Sequence, residues 1–210
     1  YLNGQLLKYV FMVVFTTALS FGLTYMFGYE DEASSVPAED KEAEAIIEEE
    51  TTGALPASLQ DETIISPIVG QAVALSDVND PVFSSGAMGQ GIAIKPTEGV
   101  VYAPADAEVT IAFATGHAYG LKTANGAEIL IHVGIDTVSM NGEGFDQKVA
   151  QGDKVKAGEV LGTFDAAKIA AAGLEDTTMV IVTNTADFAS VTPVATGSVA
   201  KGDAIIEVKA

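Results

Sequence analysis

The sequence predicts an all-β protein, an antiparallel sandwich or barrel preceded by one transmembrane helix and an acidic linker. Three features of the 210-residue chain support this architecture. Short β-branched runs alternate with Gly, Asp and Asn turn signals over residues 63–210, a pattern typical of antiparallel sandwiches and barrels. A long apolar run lies near the start of the chain, and a strongly acidic stretch separates it from the β-rich part.

The first element is an apolar run over residues 6–27, LLKYVFMVVFTTALSFGLTYMF. Its length is close to the ~20 residues that cross a bilayer, and Lys8 lies near enough to its end to snorkel. No basic region precedes the run and no small-x-small cleavage site follows it, which favours a membrane helix over a signal peptide. Residues 1–29 are therefore predicted to be a membrane segment. The first residue is Tyr1 rather than Met, which indicates a fragment or a processed product.

The second element, residues 30–62, is rich in Ala, Ser, Thr and Pro and holds 12 acidic residues against Lys41. Such a segment buries too little apolar area to offset the entropy of ordering it. It is predicted to be a flexible tether, whose root-mean-square span would be roughly 30 Å.

The third element, residues 63–210, is predicted to be one all-β domain. It contains one convincing short helix, AAKIAAAG at 166–173. The stretch VAQGDKVKAGEVLGTF (149–164) resembles VAKGDAIIEV (199–208), which indicates a duplicated turn-and-strand unit and a hybrid-motif type of sandwich. The predicted strands lie in the runs GIAIKP (91–96), GVVYAP (99–104), AEVTIAFA (107–114), AEILIHVGI (127–135), VLGTFD (160–165), TMVIVT (178–183) and AIIEVKA (204–210).

One of the chain's two histidines, His132, lies in the middle of the run AEILIHVGI. Because alternate residues of a strand point to opposite faces, one face of this strand is purely apolar and is predicted to be core. His132 is predicted to lie on the opposite face, with Gly134 leaving space beside it. The core face carries Ile129, Ile131, Val133 and Ile135, and the other face carries Leu130, His132, Gly134, Asp136 and Val138.

The second histidine, His117, lies in the run EVTIAFATGHAY (108–119). If that run is one strand paired with AEILIHVGI, the segment GLKTANGAE contains their turn, with Asn125-Gly126 as the hairpin signal. The two histidines would then be neighbours on one surface, and Thr115 could hydrogen-bond to His117 and fix its tautomer. The same alternation places Phe113, Thr115, His117 and Tyr119 on one face.

Composition limits the chemistry that these histidines could perform. The chain has no Cys, which excludes thiolate ligands and cysteine nucleophiles, and no Arg. Its net charge of −19 argues against a nucleic-acid-binding surface. Asp136 lies about 13 Å from His132 along a regular strand, too far for a hydrolase triad unless the strand bends. His117 and His132 could be zinc ligands only with a further carboxylate, from Asp136 or a partner, so imidazole itself is the expected reactive group.

The blocks IHVGIDTVSMNGEGF (131–145), TGHAYGL (115–121) and GIAIKP closely resemble the glucose-type IIA domain of the bacterial phosphoenolpyruvate:sugar phosphotransferase system. The resemblance extends from about Ile64 to Lys209. The stretch LTYMFGYEDE resembles the end of the membrane-spanning IIC domain of β-glucoside, sucrose and trehalose permeases. The resemblance implies a cell-membrane protein whose IIA domain lies on the cytoplasmic side and requires no cofactor.

The resemblance also implies a role for each site residue. His132 would accept a phosphoryl group from phospho-HPr and pass it to a cysteine of the IIB domain, with the IIC domain in the same chain. His117 would support the phosphoryl group, and Thr115 would orient His117. Leu130 stands where the family commonly has Phe. The residues implied to dock partners are Asp80, Val82, Phe83, Met88, Phe113, Leu130, Asp136 and Val138.

Three other functions fit parts of the sequence. A zinc hydrolase of similar fold would use paired histidines, but Gly134 stands where the second histidine of its H-x-H pair would be, and the chain has no third histidine. A biotinyl or lipoyl carrier lacks the expected context around its modified lysine. A regulatory protein-binding module remains open, since relatives of this family also bind and restrain other proteins. A reactive histidine is compatible with that role.

Overall fold

The computed structural model describes residues 59–210, and within them the chain is almost entirely β-structure. Every strand pair in this part of the chain is antiparallel. The predicted all-β antiparallel class is therefore confirmed. The strands of the described residues are β1 (Glu62–Ile65), β2 (Gly70–Ala74), β3 (Gln90–Pro96), β4 (Val100–Tyr102), β5 (Ala107–Ala112), β6 (Ala118–Thr123), β7 (Glu128–Val133), β8 (Phe145–Gln147), β9 (Lys154–Val155), β10 (Val160–Phe164), β11 (Thr178–Val182), β12 (Ser190–Pro193), β13 (Gly197–Val199) and β14 (Ala204–Lys209).

The strands form three sheets. The largest has eight strands in the order β13-β2-β3-β11-β7-β6-β5-β9, which places β7 near its middle. Two smaller sheets have three strands each, in the orders β1-β14-β12 and β4-β10-β8. A central strand has neighbours on both sides, so the side chains of β7 stand on a rigid support.

The main core joins all three sheets. Ile64 and Ile206 from one small sheet, Leu161 from the other, and Ile131 and Val180 from the large sheet belong to one buried cluster. Ile131 lies on the face of β7 that the alternation pattern assigns to the core. Burying apolar side chains here contributes about 25 cal/mol per Å² removed from water, which is the main source of the fold's stability.

A second, smaller apolar cluster lies on the other face of the large sheet. Met179 and Ile181 of β11 are fully buried there, beneath Leu75 and Phe83. Phe83 comes from a short helix, α1 (Pro81–Ser84), which starts with the Asp80 carboxylate accepting the Val82 and Phe83 N–H groups. The face of β7 that carries His132 is therefore partly covered, rather than a fully open surface.

The sequence-based prediction of one continuous strand over 108–119 is wrong. The chain reverses at residues 113–117, so that β5 and β6 form a hairpin of their own. Gly116 makes this possible because its φ of +67° is a conformation that L side chains rarely adopt. After the reversal Tyr119 points into the main core with 1% exposure, rather than sharing the face of His117. The predicted hairpin between β6 and β7 is present. Of the segment that was predicted to contain its turn, the residues from Gly120 to Thr123 belong to β6, and the turn lies in the remainder.

Two other predictions from local sequence agree with the structure. The predicted short helix is present as α2 (Ala166–Ala171), and the Asp165 carboxylate caps its first N–H groups. The two repeated stretches form the same turn. In one, Asp153 accepts the Ala150 N–H at 2.8 Å, and in the other Asp203 accepts the Ala200 N–H at 2.8 Å.

The predicted membrane helix over residues 6–27 and most of the acidic linker over residues 30–62 lie outside the described residues. Within residues 59–210 no helix combines the length and the apolar character needed to cross a bilayer.

The contact between Gly162 and Tyr119 gives a test of the packing between sheets. A Cβ at position 162 would lie 2.1 Å from the buried hydroxyl of Tyr119. We expect Gly162→Ala to lower the free energy of unfolding by about 1–3 kcal/mol, because the core must shift to admit a methyl group. Removing the hydroxyl with Tyr119→Phe should relieve the clash, with a coupling of about 1 kcal/mol in a double-mutant cycle followed by urea unfolding. Equal penalties in both backgrounds would contradict this packing.

Candidate active site

His132 lies at the centre of the large sheet. It pairs across the ladder with Ala118 of β6 on one side and with Met179 of β11 on the other. Both neighbours are buried, whereas the imidazole is half-buried. The ring of Phe83 lies against it, with centroids 5.1 Å apart. The surroundings therefore fix the ring and leave part of it accessible.

The orientation of His132 is set by the backbone. Its Nδ1 lies 2.8 Å from the carbonyl oxygen of Gly134. Because a carbonyl only accepts hydrogen bonds, Nδ1 carries the proton and donates it, which leaves Nε2 with a free lone pair. Gly134 reaches this position with φ of +77°, and a Cβ there would lie 2.4 Å from Cγ2 of Thr137. The sequence analysis predicted that Gly134 leaves space beside His132, but a side chain at position 134 would first meet Thr137 and the Glu175 carbonyl.

His117 lies at the end of the turn over residues 113–117, and its main-chain carbonyl accepts the Val133 N–H at 2.8 Å. Its ring meets that of His132 edge-on, with centroids 5.0 Å apart and an interplanar angle of 83°. The hydroxyl of Thr115 lies 2.6 Å from Nδ1 of His117. The structure thus brings together the three residues that the sequence selects as the chemical centre, although the strand expected to carry two of them is a turn.

Burial keeps both imidazoles neutral at pH 7. Burial, followed by the neighbouring His132, lowers the pKa of His117 to about 4. Burial also lowers the pKa of His132, against the opposing effects of the Gly134 carbonyl and the carboxylates of Asp80 and Asp136. A neutral His132 keeps the Nε2 lone pair available, and a neutral His117 can donate from one ring nitrogen while accepting at the other.

The depressed pKa of His117 predicts a pH-dependent stability. The pKa of His117 is near 6.5 in the unfolded chain and about 4 in the folded chain. The free energy of unfolding therefore falls as the pH drops from about 6.5 to about 4. We expect wild type to lose about 2–3 kcal/mol relative to His117→Gln between about pH 7 and about pH 4.5. Urea unfolding of both proteins measures this difference, and the comparison cancels the contribution of the carboxylates. Parallel pH profiles for the two proteins would contradict it.

The apolar residues expected around the histidines differ in their accessibility. Phe83 is 8% exposed and Leu130 is half-buried, so both pack beneath the surface. One further residue, Ile111, is 48% exposed and was missed by the sequence analysis. It pairs with Gly120, which in turn pairs with Leu130, and this register places Ile111 on the His132 face of the sheet. The exposed members of the predicted set are Val82, Met88, Phe113 and Val138.

The two acidic residues expected at the interface have defined positions. Asp80 caps α1, with its carboxylate 2.7 Å from the Val82 nitrogen. Asp136 is exposed and adopts a left-handed conformation with φ of 58°. The chain bends after Val133, so the Asp136 carboxylate lies close enough to act on His132 electrostatically. A regular strand would instead hold the two residues about 13 Å apart.

Metal binding would have to rely on the two imidazoles. Among residues 59–210, no three His, Asp or Glu side chains lie close enough together to hold a metal ion. The sequence analysis allowed a carboxylate from Asp136 or from a partner as the third ligand, and of these only a partner's remains.

Comparison with known proteins gives consistent matches. A family model described as phosphoenolpyruvate-dependent sugar phosphotransferase system, EIIA 1, matches residues 62–188. The β-glucoside-specific EIIBCA component of Dickeya chrysanthemi is 43% identical over 93% of this chain, and the chain spans 29% of that protein. The glucose-specific EIIA component of Bacillus cereus is 47% identical over 62% of this chain, which matches 79% of that protein.

A solved structure shares the fold. The glucose permease IIA from Mycoplasma capricolum superimposes with a TM-score of 0.65 at 33% sequence identity. The match covers 70% of this chain and 96% of the Mycoplasma protein. The described β-structure is therefore similar to a complete IIA domain.

Proposed function

The chain belongs to the EIIA 1 family of the phosphoenolpyruvate-dependent sugar phosphotransferase system, and from this we propose that His132 is the residue that carries its phosphoryl group. The family assignment makes the chain a phosphotransferase component, a phosphoryl carrier in sugar uptake. One observation carries the choice of residue: Nδ1 of His132 donates to the Gly134 carbonyl, which leaves Nε2 with a free lone pair.

The transfer step follows from this arrangement. The Nε2 lone pair attacks the phosphorus of an incoming phosphoryl donor, an N–P bond forms, and the bond between phosphorus and the donor breaks. His132 keeps its Nδ1 proton throughout, so the phosphorylated ring becomes cationic and strengthens its hydrogen bond to Gly134. An acceptor then attacks the phosphorus, the N–P bond breaks, and His132 returns to its neutral state. The step needs only positioning and charge stabilisation, because no general base is required.

His117 supplies the charge stabilisation. When the Thr115 hydroxyl donates to Nδ1 of His117, the ring proton lies on Nε2. The two rings lie edge-on with centroids 5.0 Å apart, so a group bound to His132 would lie within reach of His117. There the Nε2–H group of His117 would donate to a phosphoryl oxygen, in the manner of an oxyanion donor. The chain has no Arg, so an imidazole is the natural donor for this role.

The exposed apolar residues around the histidines are the proposed docking surface, which we define as Val82, Met88, Ile111, Phe113 and Val138. Its apolar centre with acidic residues at the edge suits a partner that presents apolar side chains and positive charge. By the resemblance noted above, phospho-HPr is the proposed donor and the IIB domain the proposed acceptor.

The relatives support a larger assembly. Fused EIIBCA components match most of this chain, including residues before the IIA domain, and contain B and C parts in one polypeptide. We therefore propose that residues 1–29 end a IIC membrane domain, with 6–27 as its helix, and that 30–62 tether the IIA domain of 63–210. The tether would raise the local concentration of IIA near its IIB partner. The IIA domain would lie at the cytoplasmic side of the cell membrane.

Val138 gives a direct test of the docking surface. It is 54% exposed, and Val160, on β10 of a small sheet that contributes no residue to the docking surface, is 38% exposed. We expect Val138→Glu to raise the KM for phospho-HPr by about tenfold with little change in kcat, because it places a charge in an apolar contact. Val160→Glu adds the same charge and serves as the control. Equal KM values for the two variants would place the docking surface elsewhere.

The function as a whole is tested by phosphoryl transfer. Purified chain is incubated with labelled phosphoenolpyruvate, Enzyme I and HPr, and the expected result is acid-labile label on the chain. Absence of label would contradict the proposal and direct attention to metal binding or to a regulatory binding role.

A further inference from the structure

The turn that presents His117 rests directly on strand β8. A Cβ built at Gly116 would lie 3.0 Å from the Cβ of Phe145 and 3.8 Å from the Cβ of Gln147. A Cβ at Gly142 would lie 3.6 Å from the Cα of Thr115. The segment that leads into β8 and β8 itself therefore pack against the backbone of the turn, so closely that a methyl group at Gly116 would press on the Cβ of Phe145.

Strand β8 is itself firmly held. The Asp165 N–H donates to the Gly144 carbonyl at 2.8 Å, which fixes the start of the strand. The rings of Phe145 and Phe164 contact each other with centroids 6.5 Å apart, and Phe145 packs against the main core. Gln147 donates from Nε2 to the Val149 carbonyl at 2.7 Å. The turn thus has a rigid support that connects it to the core of the domain.

Gln147 has a feature that packing does not explain. Its Oε1 is buried without a hydrogen-bond partner, the one such side-chain atom among the residues that the structure describes. Native proteins rarely leave a buried polar atom unpaired, and the exceptions concentrate where function constrains the residue. The other end of the amide is fixed, since Nε2 donates to the Val149 carbonyl at 2.7 Å. The unpaired oxygen therefore belongs to a side chain that is held in place against the turn at Gly116.

We propose that Phe145 and Gln147 are positioning residues for His117. They hold the turn over residues 113–117 so that the imidazole of His117 contacts both the ring of His132 and the hydroxyl of Thr115. Neither residue is expected to touch the phosphoryl group. A displacement of about 1 Å at a reacting group can reduce a rate by about 100-fold, so the stiffness of the support would affect transfer. The expected effect on phosphoryl transfer rests on the proposed function, whereas the positioning of His117 does not.

The test uses the full chain with two variants and two matched controls. Phe145→Leu removes the ring that packs beneath the turn, and Gln147→Met keeps the side-chain length but removes the amide. Phe188→Leu makes the same change in the main core away from the turn, and Gln71→Met makes it on the exposed face of β2. The readouts are the imidazole ¹⁵N shifts and pH titration of His117, the melting temperature, and the rates of phosphoryl acceptance and onward transfer.

We expect both support variants to move the titration midpoint of His117 upward by about one pH unit, since a loosened turn admits water to the ring. Onward transfer should fall by about tenfold. The controls should lower the melting temperature at most. Unchanged His117 signals in both support variants would overturn the inference, whatever happens to stability or transfer. Shifted His117 signals with unchanged transfer would support the positioning and would instead contradict the proposed role of His117.

Discussion

Replacing His132 with Ala is expected to reduce the acid-labile label accepted from phospho-HPr to background. The substitution removes Nε2 of His132, whose lone pair is left free by the hydrogen bond from Nδ1 to the Gly134 carbonyl, on a half-buried side chain. His117 cannot replace it, because its ring is 4% exposed and its Nδ1 is engaged by Thr115. Loss of the nucleophile should therefore stop the reaction, rather than slow it.

The measurement is incorporation of label from phosphoenolpyruvate through Enzyme I and HPr, with the fold checked by circular dichroism. The half-buried imidazole leaves a small cavity when truncated, so a stability loss of about 1–3 kcal/mol is expected and folding should persist. A second variant, His132→Gln, preserves most of the volume and should be equally inactive. Label on either variant would place the acceptor at another residue.

Replacing His117 with Gln is expected to separate acceptance from onward transfer. The Gln side chain retains an N–H donor, but it cannot place that donor as the rigid ring does. Acceptance onto His132 should continue, whereas onward transfer to IIB should fall by about 10²–10³-fold, the usual cost of losing one preorganised donor. Single-turnover transfer from labelled chain to purified IIB measures the second step alone.

Thr115→Val provides the companion to this experiment. It keeps the shape of Thr115 and removes the hydroxyl that lies 2.6 Å from Nδ1 of His117. If the hydroxyl sets the tautomer, onward transfer should again be slowed more than acceptance, although less than in His117→Gln.

Equal slowing of both steps in His117→Gln would show that His117 stabilises the structure of the site and does not act on the transferred phosphoryl group.

The sequence was sufficient to predict the face of the sheet on which His132 lies, because strand alternation is a strong constraint. Along β7, Ile131 and Val133 are fully buried in the main core, and His132 between them faces the other way, as alternation requires. Asn125-Gly126 likewise gave the correct hairpin between β6 and β7. These features depend on local geometry alone, which a single sequence records directly.

The sequence was less informative where a turn interrupts an apparently continuous pattern. The run through Phe113 to Tyr119 keeps an alternation of larger and small side chains, and Gly116 is a weak signal for a reversal by itself. The side on which Tyr119 lies depends on that reversal. Helix α1 could have been found, because Asp80 followed by Pro81 is a typical N-cap and first-turn pair. The burial of Phe83 depends on how that helix packs on the sheet, which no local pattern specifies.

The hydrogen bond between His132 and Gly134 also has a consequence for product chemistry. Histidine can be phosphorylated on either ring nitrogen, which gives two regioisomers. Since Nδ1 is occupied by its bond to a main-chain carbonyl, only the Nε2-linked isomer, τ-phosphohistidine, can form at this site. A peptide backbone therefore acts here as a protecting group, and the ³¹P signature of the labelled chain should report a single isomer.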